Sequence, residues 1–131
     1  MKIVNQLSLF LENRPGTLAK LCQALAKAKV NILALSVSDA VDHAVVRMVV
    51  DKTERALHLL GEHGVLVVER EVLMLEGRNK AGELATIAKK LARGKVNIEY
   101  AYTATPPGAE AGVMILRVGD MKRAAKVLKG H

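Results

Sequence analysis

Residues 13–32 read NRPGTLAKLCQALAKAKVNI, and residues 79–98 read NKAGELATIAKKLARGKVNI. Displaced by 66 positions, ten of these twenty residues are identical: Asn13/Asn79, Gly16/Gly82, Leu18/Leu84, Ala19/Ala85, Leu25/Leu91, Ala26/Ala92, Lys29/Lys95, Val30/Val96, Asn31/Asn97 and Ile32/Ile98. Chance does not produce that agreement. A repeat of this length makes the chain two copies of one supersecondary plan, and it governs the reading of every single element. It predicts two tandem domains, residues 1–68 and 69–131.

Upstream of the first copy of the repeat, residues 3–11 (IVNQLSLFL) alternate Leu7, Leu9 and Leu11 with Gln6, Ser8 and Phe10, the period of a half-buried strand. From Pro15 the period changes. Leu18, Leu21, Cys22 and Leu25 form one apolar stripe of a helix, with Pro at its first turn, where a missing N–H costs nothing. The second copy repeats the stripe as Leu84, Ile87, Ala88 and Leu91. On that stripe Cys22 reads as a small buried hydrophobe.

Downstream, residues 31–39 and 43–51 are rich in β-branched residues and predict two strands joined by a short hairpin. A helix at about 52–61 follows, capped by Asp51 or Thr53 and stopped at Gly61, and residues 64–68 form a fourth strand. The order is β-α-β-β-α-β, a ferredoxin-like unit of the α+β class. The second copy runs strand 69–76, helix 81–93, strands 96–104 and 111–118, and helix 120–129, with no fourth strand. No turn residue separates Val65 from Glu76, so one long extended segment joins the copies. A missing strand leaves N–H and C=O groups unpaired on its neighbour. That predicts a homodimer in which the open edge is covered by a partner chain or by the other copy.

Half of the 131 residues are apolar and a quarter charged, the composition of a well-cored globular protein. The core must be aliphatic, since Phe10, Tyr100 and Tyr102 are the only aromatic residues. The net charge of +7 is uneven, with 8 Lys/Arg against 6 Asp/Glu in residues 1–65 and 12 against 7 in 66–131. A single cysteine excludes an intramolecular disulfide, and no leader-like or membrane-spanning apolar run is present. Together these predict a cytoplasmic protein with no cofactor and no membrane partner.

The two strand–loop–helix corners carry the functional signal. Unsatisfied N–H groups gather there at the positive end of a helix, a setting suited to a carboxylate or phosphate, and Gly16 and Gly82 allow close approach to the backbone. Asn13 and Asn31 stand 18 residues apart, as do Asn79 and Asn97. An Asn amide both donates and accepts, so one such pair suits the ammonium and carboxylate of a small zwitterion. The same residues also fit a helix N-cap and a turn.

Asn-Arg-Pro-Gly followed by Leu, with Val-Asn-Ile beyond the helix, resembles the regulatory ACT domain, the amino-acid-binding module of phosphoglycerate dehydrogenase, aspartokinase and related enzymes. The likeness covers nearly the whole chain as two tandem copies. It implies a non-catalytic sensor that holds an amino acid between ACT units, at the loop after the first strand, and acts on a regulated protein partner. The ligand-binding residues it implies are Asn13, Arg14, Pro15, Gly16, Thr17, Leu18, Asn31 and Ile32. In the second copy they are Asn79, Gly82, Glu83, Leu84 and Asn97. Serine-binding members carry a His where Leu11 and Gly77 stand, so serine is not implied. Ala81 replaces the Pro, and Glu83 replaces Thr17, placing a negative charge beside the second carboxylate site.

His43, His58, His63 and His131 lack metal-ligand spacing and read as solvated, and no nucleophile elbow, phosphate loop or zinc motif is present. Two alternatives stay open. A basic ferredoxin-like nucleic-acid module fits the charge but lacks aromatics on the central strands, and a ligand-free ACT pair would act only in assembly.

Overall fold

Alternation sets the first strand, β1 (Lys2–Glu12), whose Leu7, Leu9 and Leu11 are buried on one face while Phe10 is exposed on the other. The computed structural model describes residues 1–131 and continues with α1 (Thr17–Lys27), β2 (Ile32–Asp39), β3 (His43–Val50), α2 (Thr53–Glu62), β4 (Val67–Arg78), α3 (Glu83–Arg93), β5 (Ile98–Ala104), β6 (Ala111–Val118) and α4 (Met121–Val127). This is the α+β order expected, two ferredoxin-like units of which the second lacks its last strand. No helix is long and apolar enough to cross a membrane.

The chain forms two compact units, Asn5–Arg70 and Met1–Val4 with Glu71–His131. In the unit 5–70, β3 pairs antiparallel with both β1 and β2, setting Leu7 and Leu35 opposite Met48. Leu7, Leu9, Leu25, Met48, Val46, Ala56 and Leu60 form its core. Each large side chain buried there contributes about 1.5–3 kcal/mol.

In the other unit β6 pairs with β4 and β5, placing Leu73 opposite Leu116 and Leu75 opposite Met114. Its core joins these to Ile87, Leu91, Ala124 and Leu128. The first residues of β1 belong to this unit, and β1 is the neighbour of β4 on the side away from β6. Met1–Val4 thus stands where a fourth strand of the second copy would lie. The open edge that suggested a dimer is filled from the same chain, which removes that argument for self-association. The expected division between residues 68 and 69 falls inside β4, an unbroken strand.

Helix ends explain much of the repeated sequence. Helix α1 stops with Lys29 at φ 61°, its N–H donating to the Ala26 carbonyl while the Val30 N–H donates to the Leu25 carbonyl. Lys95 (φ 57°) and Val96 repeat this with Ala92 and Leu91. This is a left-handed helix stop in which the following apolar residue folds back onto the helix, and Val30 and Val96 are accordingly buried. Helix α2 uses the same device at Gly64 (φ 69°), with Val65 N–H on the Leu60 carbonyl, so it passes Gly61 and ends at Glu62, one residue beyond the expected stop.

Candidate functional site

The repeated Gly does not sit inside its helix as the sequence suggests. Gly16 and Gly82 are the residues before α1 and α3, at φ 89° and 92°, and Pro15 lies in the turn preceding them. The left-handed conformation accounts for glycine here, since a Cβ at either position meets nothing within 4 Å. Neither helix start has a side-chain cap.

Asn13 and Asn79 are not helix caps either. Each donates its backbone N–H and its side-chain amide to the β-hairpin loop alongside: Asn13 to the Asp42 carbonyl (3.3 Å) and the Ala40 carbonyl (3.1 Å), Asn79 to those of Glu110 (2.9 Å) and Ala109 (2.7 Å). Asn31 and Asn97 are tied instead to the far end of the hairpin. Their carbonyls accept the N–H groups of Asp51 and Gly119, and Asn31 N–H donates to Asp51 Oδ1 at 2.8 Å. The eight residues of β3 therefore separate Asn13 from Asn31, roughly 25 Å at strand rise. A small zwitterion within one unit touches one asparagine of the pair, not both.

The corner of the unit 5–70 opens a cavity of about 570 Å³, within the usual range for small-molecule sites. Of the residues expected at the ligand, Arg14, Pro15, Gly16 and Thr17 line it; Asn13, Leu18, Asn31 and Ile32 do not. Glu12, Lys20, Gln23, Ala24, Leu59, Leu60, His63 and Val65 also line it, none of which sequence reasoning chose. Lys20 and Ala24 were legible as one and two turns beyond Gly16 on the same helix face. The α2 wall was not, because only packing brings it to α1.

Apolar Leu11, Leu21, Leu59, Leu60 and Val65 form the inner wall, and Glu12, Arg14, Lys20 and His63 the polar part. Arg14 Nε lies 2.9 Å from Glu12 Oε2, both side chains well exposed. A pair so solvated contributes little, and it leaves the guanidinium free to exchange partners. His63 Nδ1 is 2.9 Å from the Leu59 carbonyl; a carbonyl only accepts, so Nδ1 carries the proton and Nε2 of the neutral ring is an acceptor.

The corner of the other unit is built differently. Glu83, the first residue of α3, is buried, and its Oε2 accepts the Arg78 backbone N–H at 2.5 Å. Its Oε1 is 3.8 Å from His131 Nε2, and Lys90 Nζ is 3.0 Å from His131 Nδ1. His131 is thus packed against this corner rather than solvated, with only 13 % of its side chain exposed.

Against this geometry, a family model described as an ACT domain pair matches residues 1–130. The crystal structure of protein BT0572 from Bacteroides thetaiotaomicron superposes with a TM-score of 0.90 at 29 % identity, covering 97 % of this chain and 87 % of that one. The ligand-free regulatory subunit of aspartate kinase from Thermus thermophilus follows at 0.71 and 20 % identity, covering 98 % and 94 %. The corresponding subunit from Thermus flavus gives 0.60 and 18 %, covering 97 % and 94 %. A search of curated protein sequences finds no match.

Proposed function

We propose that this chain, which belongs to the ACT domain-pair family, is a non-catalytic regulatory module that binds a free amino acid in the cavity beside Gly16. The observation that carries the reading is the cavity itself. It joins an apolar wall of Leu11, Leu21, Leu59, Leu60 and Val65 to the polar side chains Arg14, Lys20, Glu12 and His63. Cations of that kind suit a carboxylate, and an acceptor such as His63 Nε2 suits an ammonium. The regulatory role of the aspartate kinase subunits that share this fold supports carrying such a role over here.

Regulation needs no more than a ligand that prefers one of two states of the protein or its complex, shifting the population toward it. The responding partner is a second copy of the chain or a separate regulated protein. A ligand that needs both Asn13 and Asn31 takes them from two copies, and this is the route by which a homodimer enters the reading.

The test is a thermal-shift panel of the twenty amino acids. A ligand at about 100 times its dissociation constant adds about 2.7 kcal/mol of stability, well within detection. Arg14→Ala should lower the affinity for whichever amino acid gives the shift. A panel in which none of the twenty moves the melting temperature refutes the proposal.

A further inference from the structure

We infer that Glu83 is a tethered occupant of a carboxylate position common to both units: the corner of the unit containing residues 71–131 is filled from within the chain, and the matching corner of the unit 5–70 takes a free carboxylate. The residue at position 17 or 83 decides which state a corner adopts. The inference rests on the amino-acid-binding reading and deepens it by saying where in the cavity the carboxylate sits.

The corners correspond residue by residue. The repeat sets Glu12, Gly16, Thr17 and Ala24 against Arg78, Gly82, Glu83 and Lys90. The fully buried pairs Ala56/Ala124 and Leu60/Leu128 likewise set His63 against His131. A buried carboxylate is costly unless hydrogen-bonded, and Glu83, 7 % exposed, has its bond from the Arg78 N–H. Lys90 has only donors, so His131 Nδ1 accepts from it and the ring proton sits on Nε2, on the side of the carboxylate. Ammonium and imidazole are hydrogen-bonded, and the carboxylate lies 3.8 Å beyond the imidazole, so the three groups line up within the corner.

In the unit 5–70 both ends of that line are cut short, because Thr17 and Ala24 replace the two long side chains. The space they vacate is open: Glu12, Gly16, Thr17, Ala24 and His63 all line the cavity. By the repeat the Glu12 N–H corresponds to the Arg78 N–H, so an entering carboxylate is placed there, where it also competes with the Glu12 side chain for Arg14. His63, its Nδ1–H held by the Leu59 carbonyl, has the opposite tautomer, which leaves Nε2 on a cavity-lining residue as an acceptor suited to an ammonium. One side-chain length thus separates a self-filled corner from a receptive one.

The experiment is calorimetric titration of the whole chain with the twenty L-amino acids, alongside ligand-free melting curves. The parent should bind one equivalent. Thr17→Glu should weaken binding at least ~100-fold, the size of losing one buried charged contact, while Thr17→Gln, of similar bulk but uncharged, should weaken it far less. Glu83→Thr with Lys90→Ala should raise the stoichiometry to two; should that variant not fold, Thr17→Glu decides alone. If the parent binds and Thr17→Glu binds as well as it does, the inference fails and the amino-acid reading survives. If the parent binds nothing, the amino-acid reading fails, and melting then decides about the position: Thr17→Glu with Ala24→Lys should melt at least about 3 °C above Thr17→Gln with Ala24→Lys. No such difference overturns the inference as well.

Discussion

Lys29 and Lys95 hold left-handed backbone conformations at the ends of α1 and α3, and replacing each by glycine should stabilise the protein. A non-glycine residue in this region costs about 1–2 kcal/mol. Glycine returns about 0.4–1 kcal/mol of that through its freer unfolded chain, leaving a net gain of about 0.5–1 kcal/mol per site. Both lysine side chains are exposed, and the contact made at Lys29 by Lys52 Nζ goes to its backbone carbonyl, which glycine keeps. An unfolding entropy near 2.1 cal/mol/K per residue over 131 residues gives roughly 275 cal/mol/K, so each substitution should raise the melting temperature by about 2–4 °C. The two sites lie in different units and share no partner, so the effects should add. Scanning calorimetry of the two single variants and the double one measures this, with Lys29→Ala as the control that keeps the strain and should not gain. Amino-acid-induced shifts should be unchanged, because the repeated Lys-Val-Asn-Ile is read here as a helix stop. Unchanged or lowered melting in both glycine variants would refute the reasoning.

The two asparagines of the unit 5–70 should separate in a stability assay. Asn13→Ala removes the amide that holds the Ala40 carbonyl and should cost about 1 kcal/mol in urea unfolding, whereas Asn31 acts through its backbone and Asn31→Ala should fall within about 0.5 kcal/mol of the parent. Gly112→Ala should be severe, because its Cβ would stand 2.3 Å from the Ala104 carbonyl oxygen and 2.9 Å from Thr105 Cα; a loss of about 1–3 kcal/mol is expected from overpacking, and an unperturbed melting curve would contradict the β5–β6 packing. Gly16→Ala meets no neighbour and should lose only the left-handed penalty of about 1–2 kcal/mol, with binding still measurable on the folded variant.

What the sequence determined by itself was the plan: two copies, strand and helix order, the core positions Leu21, Leu25, Ile87 and Leu91 of the repeated helices, though not Leu84, which is exposed, and the two corners where ligand chemistry was to be sought. These follow from periodicity and from the repeat, both local along the chain, since the faces of a helix or strand are set by its own spacing. The imprecise points were also local. Pro-Gly reads as a helix start, but the left-handed Gly16 shifts the first helical residue to Thr17. The unlikeness of Thr17 and Glu83 was visible, yet that Glu83 turns inward to the Arg78 N–H was not.

Tertiary structure decided everything that depends on which distant residues meet. The α2 residues Leu59 and Leu60, with His63 and Val65 beyond them, become one wall of the cavity only when α2 packs beside α1, and no spacing in α1 encodes that. Met1–Val4 takes the place of a strand the second copy lacks, because a strand edge is satisfied by any backbone of the right reach, and backbone hydrogen bonds carry no side-chain signature in the sequence. Asn13 and Asn31, a tempting pair at a fixed spacing, are held apart by the length of β3. Spacing along a chain fixes faces, and only the fold fixes distances.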